Sequence, residues 1–363
     1  MIEKVVEQYL IQASDLAAKA PDVIVCILAE QLLKRLDVQN GEKRGPRSRR
    51  KRMDDDTPAK IQFHDVLKAK GMSIGRPLQV TRPGTLGGDV QRYRQDGTAN
   101  ADMQDEATRA WNFFTAIYYK AGGTPWRLIR ESTDLTTCYV GVSFFESKDK
   151  SALQTSVAQV FNERGDGVVV RGEPAVLDKD DRTPHLAQAD ATTLLQRALS
   201  VYQREHLTTP ARMVCHKSSY FSEAEAAGFR EAAQQERIHS IDLVSIRKSG
   251  ARLFRQGAYP PLRGTYLDLD DTESLLYTNG SVDFYRSYPE LYVPRALSLQ
   301  WDKVEQSRRT LLREVLALTK MNWNTTVFAS GEPITLGASR VVGNIMRHVG
   351  ETDRFQEAYS YYM

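Results

Sequence analysis

The first part of the chain alternates between amphipathic and continuously apolar segments. Residues 2–20 carry apolar positions at helical spacing, including Val5 and Leu10, and predict an amphipathic helix. Residues 22–28 are a short apolar run typical of a buried strand, and residues 30–36 predict a second helix. The order helix, strand, helix indicates a doubly wound α/β unit.

Three more elements are predicted before residue 121. Residues 61–70 predict a short helix, residues 78–81 a strand, and residues 105–120 a helix that stops at two glycines. This last helix carries an apolar stripe of aromatic residues, Trp111, Phe114 and Tyr118.

The segment at residues 136–146 (TTCYVGVSFFE) is apolar on both faces, as expected of a strand inside a mixed sheet. Ser143 is its small polar residue, and its spacing alone favours a buried, hydrogen-bonded hydroxyl. Further strands are predicted over residues 155–162, 168–171, 211–215, 241–246 and 252–255, and helices over residues 189–205, 222–236, 302–319 and 336–348.

Two local motifs refine this pattern. Asn279 and Gly280 suit a type I′ turn and predict a hairpin over residues 275–285. Asp302 and Glu305 have the spacing of a capping box, which predicts that the long helix begins there.

Composition narrows the class of protein. The 363 residues are enough for two domains. Lys and Arg number 49 against 46 Asp and Glu, a formal charge of +3 that permits a nucleic-acid partner without proving one. No apolar run reaches membrane-spanning length and no signal-peptide pattern is present, while the three cysteines lie in apolar runs without metal-ligand spacing. These features predict a reduced, cytoplasmic protein.

Residues 41–56 (GEKRGPRSRRKRMDDD) concentrate basic charge before three aspartates. Such a run is most often a solvated loop. The alternative is that it lies along a phosphate backbone.

Several motifs together resemble prokaryotic Argonautes, in their MID and Piwi domains. They are residues 120–128 (KAGGTPWRL), 136–146, 158–161 (AQVF), 170–172 (VRG), 216–219 (HKSS), 259–264 (YPPLRG) and 319–323 (TKMNW). The resemblance covers about residues 60–350. It implies an α/β fold, with a Rossmann-like MID domain, shortened at its N terminus, over residues 1–128 and a ribonuclease H-like Piwi domain over residues 129–363.

The resemblance implies a site for the 5′-phosphate of a guide strand, formed by His64, Lys68, Gln79 and Lys120. Taken alone, His64 and Lys68 are four residues apart and would be a solvent-facing pair on one helix face. In many relatives a divalent metal joins the guide phosphates to the C-terminal carboxylate. This implies a structural Mg²⁺ whose ligands include Gln79 and the carboxylate of Met363.

The resemblance also locates three metal-binding positions that hold carboxylates or histidine in catalytic relatives. Here they are Ser143, Lys217 and Ser339, which cannot replace carboxylates in two-metal hydrolysis. We therefore expect the protein not to be an enzyme. Other acidic residues are predicted to lie in solvated loops: Asp178, Asp180, Asp181 and Glu290.

A cleft without carboxylates still suits a nucleic-acid duplex held by its backbone. Candidate backbone contacts are His216, Lys217, Arg263 and Asn322. For each of them, capping, ion pairing or packing of the side chain is an equal alternative.

The resemblance implies a short 5′-phosphorylated guide RNA, a complementary target DNA, a separate effector protein and a role in defence against plasmids or phage. Whether the guide is RNA or DNA stays open. Two other functions remain: an endonuclease with rearranged metal ligands, and an interaction subunit of a defence complex that no longer binds a guide.

Overall fold

The computed structural model describes residues 2–29, 31–32, 63–86, 105–129, 135–146, 153–161, 167–177, 183–253, 260–282, 293–323, 330–350 and 356–363. The chain divides into two compact units. The first contains Met1–Gly123 and His348–Gln356, and the second contains Thr124–Arg347 and Glu357–Met363. The domain boundary after residue 128 stays a prediction.

The first unit has three helices and two strands among its described residues. They are α1 (Ile2–Ala17), β1 (Ile24–Ile27), α2 (Phe63–Gly71), β2 (Leu78–Thr81) and α3 (Glu106–Lys120). The two strands pair in parallel, with Ile24 opposite Leu78. Val6, Phe63 and Leu67 pack with these strand residues in one apolar core, so the periodicity of α1 and α2 indicated their buried faces.

The aromatic stripe of α3 is largely exposed. Trp111, Phe114 and Tyr118 are 52%, 66% and 56% exposed. The buried residues of this helix are Ala116, Tyr119 and Lys120 instead. The helix therefore turns a lysine, rather than its aromatic stripe, toward the interior.

The second unit is built on an eight-stranded mixed sheet, with the order β10-β11-β12-β9-β8-β3-β4-β5. Its strands are β3 (Thr137–Glu146), β4 (Leu153–Phe161), β5 (Val169–Pro174), β8 (Arg212–Lys217), β9 (Ser240–Lys248), β10 (Tyr266–Asp268), β11 (Glu273–Leu276) and β12 (Leu297–Trp301). β6 (Val176–Leu177) and β7 (Pro184–His185) form a separate pair. β3, β8 and β9 run parallel, and the other neighbours are antiparallel.

Four helices of the second unit accompany this sheet: α4 (Gln188–His206), α5 (Glu223–Gln235), α6 (Arg308–Leu318) and α7 (Ile334–Met346). Leu195 of α4 and Phe229 of α5 pack with Val140, Val142 and Cys215 of the central strands. α7 lies on the other face, because Gly141 of β3 meets the backbone of Thr335 at close range. The mixed α/β architecture predicted from the sequence is confirmed.

One local prediction is wrong. α6 begins at Arg308 with Ser307 as its cap, not at Asp302, because the amides of Glu305 and Gln306 donate to the buried Asp242 carboxylate and so leave the helix. The hairpin predicted over residues 275–285 lies partly outside the described residues, and its described strand, β11, pairs with β10 and β12.

Other predictions extend beyond the described residues: the basic run at 41–56, most of the helix at 30–36, and residues 254–255 of the strand predicted at 252–255. Residues 252 and 253 of that strand are described and are not extended in a sheet. Within the described part of the chain, no helix has the length and apolar character needed to cross a membrane.

Candidate functional site

Three side chains predicted to bind a phosphate lie together in the first unit. Lys68 of α2 and Lys120, the last residue of α3, are only 2% and 5% exposed. The Lys120 ammonium donates a hydrogen bond to Oε1 of Gln79 on β2. The side chains of Lys68 and Lys120 interact as well. We call this group the two-lysine cluster: Lys68, Gln79 and Lys120.

Close backbone approaches set the geometry of the two-lysine cluster. A Cβ on Gly71 would lie 2.4 Å from Leu78 Cδ1, so α2 passes tightly over the strand that carries Gln79. α3 ends at Lys120, and its cap Ala121 is followed by Gly122, whose φ of +90° favours glycine.

Burial dominates the electrostatics of the two-lysine cluster. It lowers the pKa of Lys68 to about 8, against the opposing effects of the Lys120 side chain, Asp65 and Cys26. Burial also lowers the pKa of Lys120 well below its ordinary value, and the charge of Lys68 acts in the same direction. Two buried ammonium groups so close together favour an anion as their ligand.

His64 lies at the edge of this cluster. Its side chain is 46% exposed, and Nδ1 is 2.9 Å from Oδ1 of Asp65. Desolvation lowers the pKa of the His64 ring, the hydrogen bond with Asp65 opposes this shift, and the charges of Lys68 and Lys120 reinforce it. The spacing alone predicted that both side chains face solvent. This is correct for His64 and wrong for Lys68, which is buried.

In the second unit, the three predicted metal-binding positions do not share one face of the sheet. Gly141 faces α7, and so does Ser143 two residues on, by the alternation of strand side chains. Ser339 belongs to α7, where its hydroxyl donates to the carbonyl of Thr335 at 2.5 Å. Lys217 is opposite Val142 in the parallel register, and it therefore points to the α4–α5 face.

The residue that joins Ser143 on the α7 face is His216, which is opposite Gly141. It is fully buried, and its Nδ1 lies 2.9 Å from Oγ1 of Thr335. Its Nε2 atom has no hydrogen-bond partner among the described residues. Burial lowers the pKa of His216 to about 3, with a further contribution from Arg212, so the ring is neutral. A neutral, buried imidazole offers no charge to a phosphate.

Lys217 is held in a fully buried ion pair with Glu225, the third residue of α5. Its Nζ atom lies 2.7 and 2.6 Å from the two carboxylate oxygens and donates to the Tyr220 carbonyl at 2.7 Å. Burial lowers the pKa of Lys217, and Glu225 opposes this shift. A direct contact with a nucleic acid would require this pair to open.

Among the described residues, the Glu225 carboxylate has three partners besides Lys217, and the Lys217 ammonium has two aromatic neighbours. It accepts hydrogen bonds from the amides of Leu186, at 2.7 Å, and of Ser222, at 2.8 Å. His185 Nδ1 lies 3.0 Å from the same carboxylate. The rings of Phe144 and Phe221 lie 5.2 and 5.5 Å from the Lys217 ammonium. This set of contacts compensates both charges.

Arg263 and Asn322, the other predicted backbone contacts, are partly buried. Arg263 Nη2 donates to the Leu316 carbonyl at 2.9 Å and to Thr319 Oγ1 at 2.6 Å, and burial lowers its pKa. Asn322 Nδ2 donates to Ser330 Oγ at 3.1 Å. The acidic residues predicted to lie in loops are outside the described part: Asp178, Asp180, Asp181 and Glu290.

The C-terminal residues pack within the second unit. Tyr362 and Met363 are 0% and 5% exposed, and the Tyr362 hydroxyl lies 3.5 Å from Met346 Sδ. Their apolar character predicts this burial. Nothing in this packing tests the Met363 carboxylate as a metal ligand. Within the described ranges, no group of three or more His, Cys, Asp or Glu side chains could hold a metal.

Sequence reasoning missed two charged arrangements. Arg212 donates to Asp242 at 2.9 Å and to Glu314, whose Oε1 also accepts from Tyr139 at 3.0 Å. At the opposite end of the sheet, the Arg247 guanidinium lies 3.7 Å from the centre of the Tyr220 ring. Asp242, an acidic residue inside the apolar run of β9, is a sequence signal for the arrangement around Arg212. The contact between Arg247 and Tyr220 depends on tertiary proximity alone.

Comparison with known proteins supports the fold. No protein-family model and no curated protein sequence matches the chain. The chain is similar to the solved structure of Clostridium butyricum Argonaute bound to a guide DNA (5′ deoxycytidine) and a 19-mer target DNA. The TM-score is 0.60 at 13% identity, over 95% of this chain and 40% of that one. The chain therefore has an Argonaute-like fold and spans about two-fifths of the length of that relative.

Proposed function

We propose that the chain is a guide-directed nucleic-acid-binding protein of the Argonaute kind, with a MID-like first domain and a Piwi-like second domain. The observation that carries this proposal is the two-lysine cluster of the first unit. The side chains of Lys68 and Lys120 are both buried, and the described hydrogen-bond partner of Lys120 is the neutral amide of Gln79.

A guide 5′-phosphate fits this cluster chemically. Ammonium groups bind phosphate oxygens through charge-assisted hydrogen bonds, which are strongest where water is excluded. Burial destabilises the charged form of each lysine. Binding of a phosphate dianion would offset that cost. His64, exposed at the edge of the cluster, is suited to stack on the first base.

We further propose that the protein binds its target without cutting it. Ser143, His216 and Ser339 share the sheet face toward α7, and none of them is a carboxylate. Lys217 lies on the opposite face of the sheet and is paired with Glu225, so it supplies no ligand for a metal ion either. An endonuclease with rearranged ligands is the competing function, and metal-dependent cleavage of target by guide-loaded protein would establish it.

The partners follow from the resemblance noted in the sequence. We propose a short 5′-phosphorylated guide RNA, a complementary DNA target and a separate effector protein, acting in the cytoplasm in defence against plasmids or phage. The Clostridium relative holds a guide DNA, so DNA is the alternative guide.

Magnesium at the guide 5′ end is a further part of this proposal. The two-lysine cluster supplies one amide oxygen, which already accepts from Lys120, and two ammonium groups. This donor set suits an anion and does not by itself fit a cation, since Mg²⁺ prefers several oxygen ligands.

The test is the nucleic acid that accompanies the protein in cells. Sequencing of material co-purified with the native chain should yield short strands with a 5′-phosphate. The purified chain should then prefer a 5′-phosphorylated guide over the same strand with a 5′-hydroxyl. A folded protein that co-purifies with no short strands and shows no such preference would support the interaction-subunit alternative.

A further inference from the structure

Lys217 makes a hydrogen bond to the backbone in addition to its ion pair with Glu225. Its ammonium donates to the carbonyl of Tyr220 at 2.7 Å, in the segment that joins β8 to α5. Because Lys217 is fixed by both oxygens of Glu225, this hydrogen bond fixes the Tyr220 backbone as well. The lysine at a degenerate catalytic position is thereby an anchor for the segment beyond it.

Tyr220 in turn supports a cation on the neighbouring strand. Arg247 lies near the carboxyl end of β9, and its guanidinium lies 3.7 Å from the centre of the Tyr220 ring. Both side chains are partly exposed. Within the described part of the chain, Arg247 has no carboxylate or hydrogen-bond partner, and its Nε atom is buried without one.

The position of this pair suits a ligand. β8 and β9 are parallel, and ligands of open α/β sheets bind beyond the carboxyl ends of such strands. A guanidinium placed over an aromatic ring can still offer its terminal N–H groups to two phosphate oxygens, which its planar fork matches. Lys248 and Arg252, both exposed, add positive charge to the segment that follows.

We infer that Arg247, positioned over the ring of Tyr220, binds a backbone phosphate of the nucleic acid, and that Lys217 is a positioning residue for this pair. The inference rests on the proposed function. It assigns to Arg247 a backbone contact that was predicted from the sequence for Lys217. It needs no sequence-specific readout, because a phosphate contact carries no base information.

The experiment measures target binding by guide-loaded protein over a series of salt concentrations. Arg247→Gln should weaken binding to every target sequence, and it should reduce the slope of log affinity against log salt by about 0.7–0.9, the value for one lost phosphate contact. Tyr220→Phe keeps the aromatic platform and should behave like the natural protein. Tyr220→Ala should lose a large part of the affinity that Arg247→Gln loses.

Arg230→Gln is the matched control. Arg230 is also partly buried and lies on α5 of the same unit, 3.6 Å from Asp302, and its loss should leave the salt slope unchanged.

Reduced affinity of Arg247→Gln at an unchanged slope would indicate a structural role and overturn the inference. If the natural protein binds guide and target and the Arg247→Gln variant binds them equally well, this inference is wrong and the proposed function stands. A chain that binds no strand at all would overturn the proposed function with it.

Discussion

The two units each bury lysines, with opposite electrostatic consequences. In the second unit, Lys217 is fully buried against both carboxylate oxygens of Glu225, which is itself fully buried. In the first unit, Lys120 is buried against the neutral amide of Gln79, close to the equally buried Lys68. Similar burial of the same residue type therefore leaves one site compensated within the protein and the other suited to an anion.

This difference separates a structural lysine from a binding one. The charge of Lys217 is compensated by Glu225, and removal of either partner would leave the other charge buried and uncompensated. At the two-lysine cluster, burial disfavours the charged form of both lysines, and a bound anion would offset that cost. The same substitution, lysine to methionine, should consequently have opposite effects on stability at the two sites.

The largest expected effect is the loss of stability in Lys217→Met. This change leaves Glu225 buried without its cation, and breaking such a pair costs about 3–5 kcal/mol. Lys68→Met should instead stabilise the guide-free protein by about 1–3 kcal/mol, because it removes a buried charge whose pKa burial has lowered. Urea unfolding of both variants, followed for each unit, measures the two changes. If Lys217→Met and Lys68→Met destabilised the protein to a similar extent, the distinction between a structural and a binding lysine would be wrong.

Glu231→Gln is the control for this comparison. Glu231 lies on the same helix as Glu225, is exposed, and accepts from Gln188 at 3.0 Å. Its loss should change the unfolding free energy by less than about 1 kcal/mol, as for other exposed polar pairs.

The second expected effect is on guide affinity. Lys68→Met removes a charge-assisted hydrogen bond worth about 1.5–3 kcal/mol, so affinity for a 5′-phosphorylated guide should fall roughly 10- to 100-fold. Affinity for a 5′-hydroxyl guide should change little, because no anion is then present. Filter binding with both strands measures the difference. Lys70→Ala, on the same helix and partly exposed, is the control and should match the natural chain for both. Equal losses for both guides in Lys68→Met would contradict phosphate binding there.

The contrast between the lysine sites shows what the sequence could and could not predict. Periodicity located most helices and strands, because the apolar pattern of an element is local. The motif around Lys120 predicted the two-lysine cluster. The burial of Lys217 depends on Glu225, eight residues away on a different element, and on strand register, so no local pattern revealed it. The prediction of a helix cap at Asp302 was wrong for the same reason, because the Asp242 carboxylate, which is distant in sequence, accepts from the amides of Glu305 and Gln306.

The third effect is a pH dependence set by Lys68, whose neighbours are Asp65, Lys120 and Cys26. Its pKa falls from an ordinary 10.5 to about 8 in the folded, guide-free protein. Between these values the unfolded chain binds more protons, so the stability of the guide-free protein should rise with pH in that window. Phosphate affinity should fall over the same window, by up to about tenfold per pH unit, because binding then requires uptake of a proton. Guide titrations across this range test it, and a Lys68→Met variant with the same pH profile would exclude Lys68 as the source.

The smallest expected effect is that of divalent cations. Oε1 of Gln79 already accepts from Lys120, and two ammonium groups stand near it, so a cation gains little there before the guide phosphates arrive. EDTA should therefore weaken binding of the 5′-phosphorylated guide by less than about tenfold, or about 1.4 kcal/mol. A 5′-hydroxyl guide corrects for general ionic effects, and two residues appended after Met363 test the terminal carboxylate as a metal ligand. A loss on EDTA treatment larger than that of Lys68→Met would mean that the metal, rather than the lysines, is the principal anchor of the guide.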